Sequence, residues 1–162
     1  MPRSRRDAAE GEPFCFEYER RVQFADTDMA GIVHFATYYR YMEEAEHAFF
    51  RSLGETVHAR EGLGGLGWPR LHASCDFWGP IRFEDRVRIR VSLHEIRAKT
   101  VRYHHNFWLA GPGGDGLVAS GSVVTICVRL DAETGRMQGI PIPDSLRAKL
   151  EAARQNSISM RT

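Results

Sequence analysis

One stretch of the chain has the spacing of a long amphipathic helix. From Phe35 onward, apolar residues recur every three or four positions, and charged residues fall largely on the opposite side. The apolar positions are Phe35, Tyr38, Met42, Ala45 and Phe49. Gly54 follows the last of them and suits the left-handed residue at which many helices end. The sequence therefore predicts one helix of about twenty residues, beginning at Phe35 and ending just before Gly54.

After a glycine-rich loop at 62–67, the hydrophobic period changes from that of a helix to that of a strand. Apolar and polar residues then alternate over 71–78, 86–93 and 101–109, and a last strand runs over about 117–130. Consecutive strands with short links favour an antiparallel sheet, so the fold class is α+β. The apolar face of such a sheet needs a cover. The long helix is the candidate for it, and we expect the sheet to curl around that helix.

The size and charge of the chain suit one compact domain. It has 162 residues, of which 43% are hydrophobic and 27% are charged, and its formal net charge is +1. This composition excludes a wholly disordered chain, and the small basic excess disfavours binding of nucleic acid. We expect a single domain at 14–154, between a flexible N-terminal arm at 1–13 and a flexible polar tail at 155–162.

The sequence shows no sign of membrane insertion, secretion or metal binding. No apolar run approaches the ~18 residues of a membrane span. The charged segment 1–13 lacks the apolar part of a secretory signal. The three cysteines (Cys15, Cys75 and Cys127) lie far apart without a CxxC pair, which favours a reducing, cytoplasmic location. The seven histidines have no metal-binding spacing, so no metal is predicted.

Two carboxylates, Asp26 and Asp28, lie in a turn-rich segment just before the predicted helix. A carboxylate at this place can act as a nucleophile or a general base. The first N–H groups of a helix lack internal partners, so they can stabilise a developing oxyanion. A thioester carbonyl between the carboxylate and these N–H groups would meet both a nucleophile or general base and an oxyanion donor. Ordinary helix capping is the alternative interpretation, because aspartate often accepts hydrogen bonds from the same N–H groups.

The segment from Arg21 to Val33, RVQFADTDMAGIV, resembles the signature of the 4-hydroxybenzoyl-CoA thioesterase family, which includes the Tol-Pal-associated acyl-CoA thioesterases. The likeness covers about residues 18–150 and includes Tyr38, Arg40, Tyr41, Met42 and Glu43. It implies a hotdog fold, in which a long central helix is wrapped by a curved antiparallel sheet of about five or six strands. It also implies a dimer or tetramer with acyl-CoA sites between subunits.

The resemblance implies roles for single residues. The family's catalytic aspartate falls on Asp28, and its oxyanion donor, a backbone N–H at the helix start, falls on Phe35. Asp26 then becomes a supporting residue of the loop. Many relatives have Tyr-His where this chain has His34-Phe35. A backbone donor tolerates that change, and His34 is a candidate for either a catalytic role or a place at the pocket rim.

Several further residues are candidates for substrate binding. Arg86, Arg88 and Arg90 alternate along one predicted strand, so they share one face of the sheet. They could hold the phosphates of coenzyme A, or form an ordinary solvated face. Gly31 lies in the signature segment, and Tyr38 could line an acyl pocket or belong to the core. Coenzyme A enters as part of the substrate, so no separate cofactor is expected.

The sequence thus predicts an acyl-CoA thioesterase that forms a carboxylic acid and free CoA, and acts as a homodimer or homotetramer. Open sheet edges favour such assembly. The helix glutamates Glu43, Glu44 and Glu46 are expected to form a charged face, and the alternative is that one of them replaces Asp28. Two other functions stay open: a hotdog enoyl or hydroxyacyl thioester hydratase or dehydratase, and a non-catalytic acyl-thioester binding protein.

Overall fold

The computed structural model describes residues 12–57, 65–111, 116–131 and 133–159. Its elements are β1 (Phe16–Arg21), α1 (Phe35–Ser52), β2 (Leu66–Gly67), β3 (Arg70–Phe77), β4 (Arg86–Ile96), β5 (Thr100–Leu109), β6 (Gly116–Ile126), β7 (Val128–Leu130), β8 (Met137–Gly139) and α2 (Asp144–Ser159). A 3-10 turn at Phe24–Asp26 lies between β1 and α1. The predicted α+β class is confirmed.

Five strands form the main sheet in the order β1-β4-β5-β6-β3, and all neighbouring strands are antiparallel. Along β4, alternate side chains point to opposite faces of this sheet. The buried face carries Val87, Ile89, Val91 and Leu93, and the outer face carries Arg86, Arg88 and Arg90. The structure therefore confirms the antiparallel sheet and the shared face of the three arginines.

The apolar side of α1 lies in the core. Its buried apolar side chains are Tyr38, Tyr41, Met42, Ala45, Phe49 and Phe50. Each fully buried large side chain stabilises the fold by about 1.5–3 kcal/mol. As predicted, the helix ends beside Gly54, which has a φ of 73°, and the Glu55 N–H then donates to the Phe50 carbonyl at 3.0 Å. No helix in these described ranges has the length and hydropathy to span a membrane.

The strand predicted over about 117–130 is two strands. β6 ends at Ile126, and β7 belongs to a second sheet with the order β2-β7-β8. The chain changes sheets at Cys127, whose N–H donates to the Lys99 carbonyl at 2.8 Å and whose carbonyl accepts from the Ile140 N–H at 2.9 Å. Hydrophobic alternation continues through this point, so periodicity alone did not separate the two strands.

Both ends of the structure differ from the predicted boundaries. Glu12, placed in the flexible arm, accepts a hydrogen bond of 3.0 Å from the Asn106 side chain of β5. At the other end, α2 continues into the segment predicted as a tail, 155–162, and Ser157 is buried on the same side as Leu150. Leu150 and Ser157 are spaced as residues on one face of a helix are. The residues around Ser157 are polar, however, so hydrophobic periodicity did not predict that the helix continues there.

Candidate active site

Asp26 joins the loop before α1 to the helix itself. Its buried carboxylate accepts hydrogen bonds from the Tyr41 hydroxyl (2.7 Å) and the Gln23 N–H (2.9 Å) through one oxygen. The Arg40 guanidinium binds the other oxygen, and the Arg20 guanidinium lies 3.6 Å from the first oxygen. Burial raises the pKa of Asp26, but the hydrogen bonds and the two guanidinium groups outweigh it and hold the pKa below its usual range. Asp26 therefore supports the loop as a charged residue.

Asp28 lies in a tight turn two residues further on. Its N–H donates to the Ile32 carbonyl at 2.9 Å, and its carbonyl accepts from the Gly31 N–H at 2.9 Å. Gly31 has a φ of 73°, which a residue without a side chain adopts at low cost. The Asp28 side chain is exposed, and one carboxylate oxygen accepts from the Ala30 N–H at 2.8 Å. Its other oxygen has no partner in the described part of the chain, so it is available to a substrate.

The first turn of α1 presents a backbone donor. His34 caps the helix, since its Nδ1 accepts from the Ala36 N–H at 3.3 Å, and its ring packs at a tilt of 35° against the Phe35 ring, with centroids 4.6 Å apart. Phe35 is the first helical residue, so its N–H has no partner within the helix. None of the other described residues accepts from it either. The donor expected at Phe35 is therefore unoccupied by the chain itself.

The described residues of one chain do not bury Asp28 in a cavity. Two cavities of about 330 Å³ lie elsewhere. The first lies between α1 and α2 and is lined by Phe49 and Lys149, among others. The second lies between β4 and α2, beside His94. Neither is lined by Asp28 or Phe35, and both of these residues are exposed in the single chain.

Tyr38 is a core side chain in the single chain. It is 4% exposed and packs edge to face on Phe77 (centroids 4.8 Å apart) and Phe107 (5.3 Å). Burial raises its pKa to about 12, so its hydroxyl stays protonated. Phe77 itself is exposed on β3, which places Tyr38 at the border of the core beneath an uncovered aromatic ring.

The outer-face arginines of β4 have partners within the chain. Arg86 pairs with Glu19 at 2.9 Å and Arg90 with Glu17 at 2.8 Å, both across the β1–β4 ladder. The Arg90 guanidinium also lies over the Trp108 ring, 5.1 Å from its centroid. Phosphate binding by Arg86, Arg88 and Arg90 remains a prediction, and a phosphate would have to compete with these carboxylates.

Glu46 does not belong to the charged face on which the sequence analysis placed it. Its side chain is 1% exposed, and Arg70 of β3 contacts both carboxylate oxygens at 3.2 and 3.1 Å. Burial raises the pKa of Glu46 to about 7 although Arg70 opposes the shift. Glu46 follows Met42 by four residues and precedes Phe49 by three, so helical spacing already placed it on the buried side.

His105 is another buried polar group, and its burial was not predicted from the sequence. It lies on β5, is fully buried, and neither ring nitrogen has a hydrogen-bond partner within the ranges described. Burial lowers its pKa to about 3, so the ring is neutral at physiological pH. Its neighbour His104 points to the opposite face of the sheet, as strand alternation predicts for adjacent residues.

Comparisons with known proteins agree on one family. Residues 22–150 match the model of the thioesterase-like superfamily. A 1,4-dihydroxy-2-naphthoyl-CoA hydrolase of Thermosynechococcus vestitus is 35% identical over 137 residues, which cover 85% of this chain and 89% of that protein. A 4-hydroxybenzoyl-CoA thioesterase of Pseudomonas sp. (strain CBS-3) is 29% identical over 131 residues, covering 77% and 89%. The solved structure of a gentisyl-coenzyme A thioesterase has a TM-score of 0.68 and 32% identity, over 82% of this chain and 99% of that one.

Proposed function

Because the chain belongs to the thioesterase-like superfamily and shares the hotdog fold of its structural neighbours, we propose that it hydrolyses an acyl-CoA thioester to a carboxylic acid and free CoA. The proposed acyl group is a hydroxylated aromatic acid, since the matched proteins are named for dihydroxynaphthoyl, hydroxybenzoyl and gentisyl thioesters. One observation carries the proposal. The exposed Asp28 carboxylate lies in the turn that leads into α1, whose first N–H, on Phe35, has no partner in the described chain.

In the proposed reaction, Asp28 acts on the thioester carbonyl in one of two ways. It attacks the carbonyl carbon to form a mixed anhydride that water then hydrolyses, or it takes a proton from the water that attacks. In both routes the carbonyl oxygen gains negative charge, and the Phe35 N–H stabilises it with help from the helix dipole. One such donor is commonly worth ~3 kcal/mol in the transition state. The C–S bond breaks, and the CoA thiolate leaves and is protonated.

The hydrogen bond at the helix cap defines what His34 can contribute. Because its Nδ1 accepts from the Ala36 N–H, the neutral ring carries its proton on Nε2. His34 would therefore donate a hydrogen bond to the substrate rather than act as a base. Gly31 leaves room for the substrate, since no described atom beyond its chain neighbours lies within 4 Å of where a Cβ would stand.

We propose that a second copy of the chain completes the site. β3 is an edge of the main sheet and is exposed along most of its length. It carries Leu71 and Phe77, which are 59% and 45% exposed. An uncovered edge strand with apolar side chains is suited to pairing with another chain. A homodimer or homotetramer joined through β3 would cover Phe77 above Tyr38 and supply walls for an acyl group, with α1 as the central helix of each subunit.

The test is thiol release from a panel of aromatic and aliphatic acyl-CoAs, followed with a thiol-trapping dye. We expect Asp28→Asn to lower kcat by about 100-fold or more with its fold intact. Asp131→Asn is the matched control, because Asp131 is also exposed and also accepts from N–H groups of its own turn, at 2.9 Å from Glu133. Wild-type turnover by folded Asp28→Asn would contradict the proposal.

The same panel separates the alternative functions. A hydratase or dehydratase would change the absorbance of an enoyl thioester without releasing thiol. A binding protein would hold acyl-CoA tightly without turnover. Light scattering that gives a monomer of 18.4 kDa at assay concentration would contradict the shared site.

A further inference from the structure

Two exposed phenyl rings meet on the surface beside the Asp28 turn. Phe24 is 77% exposed and Phe83 is 49% exposed, and their rings pack edge to face with centroids 6.0 Å apart. Single exposed apolar side chains are ordinary, but here two distant segments of the chain bring aromatic rings together and leave both in solvent. In such a perpendicular pair, a planar ligand can stack on the face of one ring and contact the other ring with its edge.

The backbone connects Phe24 closely to the candidate site. Phe24 lies four residues before Asp28, in the 3-10 turn that ends at the buried Asp26. Its carbonyl accepts two hydrogen bonds from Thr27, from the side chain at 2.7 Å and from the N–H at 3.1 Å. The ring is therefore carried by the same ordered turn that positions the catalytic candidate.

The loop that carries Phe83 is bonded to both ends of the Asp28 segment. The Val33 N–H, just before α1, donates to the Ile81 carbonyl at 2.8 Å. The Glu84 N–H donates to the carbonyl of Val22, just after β1, at 3.1 Å. These bonds place Phe83 next to the Asp28 turn, and they fix the loop at Ile81 and Glu84, on either side of Phe83.

Glu84 holds an uncommon conformation in this loop. Its φ of 71° makes it the one non-glycine residue in the described ranges with a positive φ. Such a residue costs of order 1 kcal/mol and is enriched where a protein contacts a ligand. Its side chain pairs with Arg21 at 3.4 Å, so the conformation is supported from β1.

Arg82 adds an unpaired positive charge to the loop that carries Phe83. Its side chain is exposed and directly precedes Phe83 in the chain. Its guanidinium has no partner among the residues described, whereas Arg86 and Arg90 are paired with Glu19 and Glu17. An exposed guanidinium one residue from Phe83 has the chemistry to bind a phosphate by charge-assisted hydrogen bonds, and the aromatic ring has the chemistry to stack on a purine.

We propose that Phe24, Phe83 and Arg82 form the subsite for the 3′-phosphoadenosine end of coenzyme A. The adenine stacks on the face of one phenyl ring and meets the other edge to face, Arg82 binds a phosphate, and the pantetheine arm leads from there to Asp28. This proposal rests on the proposed function. It assigns phosphate binding to Arg82 in preference to the paired arginines of β4, and it makes CoA, not an acyl carrier protein, the carrier of the acyl group.

The test compares one acyl group on two thiols. Acyl-CoA carries the nucleotide, and the N-acetylcysteamine thioester lacks it. We expect Phe24→Ala, Phe83→Ala and Arg82→Gln each to raise the KM for acyl-CoA about 10-fold and to leave hydrolysis of the truncated thioester unchanged. Met137→Ala is the matched control, because Met137 is 63% exposed on β8 and is not part of the aromatic surface.

Three outcomes would overturn the subsite. The first is an unchanged KM for acyl-CoA in all three variants. The second is an equal loss with both thioesters, which would assign the rings to the acyl site. The third is that the variants no longer form the oligomer that the wild-type protein forms, which would assign the rings to a subunit contact. If the variants changed the KM only for acyl carrier protein thioesters, the KM for acyl-CoA would be unchanged, as in the first outcome. That result would identify acyl carrier protein as the carrier.

A direct binding measurement separates this proposal from the proposed function. Calorimetric titration with adenosine 3′,5′-bisphosphate should show binding by the wild-type protein and loss of at least about 10-fold in affinity in Arg82→Gln. That result would support the subsite even if Asp28→Asn retained full thioesterase activity. Active hydrolysis of acyl-CoA without any nucleotide binding would overturn the subsite and leave the proposed function in place.

Discussion

The Tyr41 hydroxyl donates a 2.7 Å hydrogen bond to the buried carboxylate of Asp26. This bond ties the loop before α1 to the second turn of the helix. Asp28 and Phe35 both lie in the segment between these two bonded residues, Asp28 in the loop and the Phe35 N–H at the helix start. The distance between the carboxylate and the backbone donor therefore depends on Asp26, although Asp26 itself is turned into the protein.

Tyr41→Phe should lower the free energy of unfolding by about 2 kcal/mol, because it removes a hydrogen bond to a charged group. Asp26→Ala should cost more, about 3–5 kcal/mol, since it leaves buried donors without their acceptor. Urea unfolding measures both. Tyr39→Phe is the control, because Tyr39 is only half-buried and its hydroxyl has no described hydrogen-bond partner. Equal losses for Tyr39→Phe and Tyr41→Phe would refute the role given to the Asp26 bond.

Glu46 should make the protein less stable as the pH rises from about 4.5 to about 7. Its pKa in the folded chain is raised to about 7 from an ordinary value of 4.5, so the fold favours the protonated acid. Between these values the folded state binds more protons than the unfolded state, and the unfolding free energy falls with pH, in total on the order of 3 kcal/mol. Unfolding measured at several pH values should show this decline, and Glu46→Gln should remove it. An identical pH profile in the variant would contradict the assignment.

His105 should produce the opposite trend at lower pH. Its folded pKa is lowered to about 3 from an ordinary value of 6.5, so between these values the unfolded state binds more protons. Stability then rises with pH over that range. His105→Phe should abolish this rise and stabilise the protein at neutral pH by about 1 kcal/mol, because it replaces a buried ring whose polar atoms lack described partners with an apolar ring. A variant that is less stable at neutral pH would indicate an unrecognised partner for the imidazole.

Gly121→Ala should lower the free energy of unfolding by about 1–3 kcal/mol. A Cβ at this place on β6 would overlap the Met42 Sδ of α1 and lie 3.2 Å from the Ser74 carbonyl of β3. Gly116→Ala is the matched control on the same strand, since nothing described lies within 4 Å of its Cβ position. Thermal unfolding compares the two. Similar melting temperatures for both variants would show that α1 does not approach the sheet as closely as the structure has it.

The bounds of α1 were predictable because their causes are local. The spacing of its apolar residues, the capping position of His34 and the positive φ of Gly54 all depend on neighbours within a few positions of the chain. The division of the predicted last strand at Cys127 was not predictable in the same way. That division depends on pairing with β2, which is distant in sequence, and on the Lys99 carbonyl that accepts the Cys127 N–H.

The sequence by itself determined that an Asp-x-Asp turn leads directly into a long helix, because turn residues and helical periodicity act over short separations. Only the tertiary structure decided which partners meet the buried polar groups and which distant surfaces pack together. Arg70 comes from β3 to contact the buried carboxyl group of Glu46, and Phe83 comes from a distant loop to pack on Phe24. Such contacts depend on the stability of the whole packed arrangement, since a buried charge is tolerated only where the fold brings it a partner.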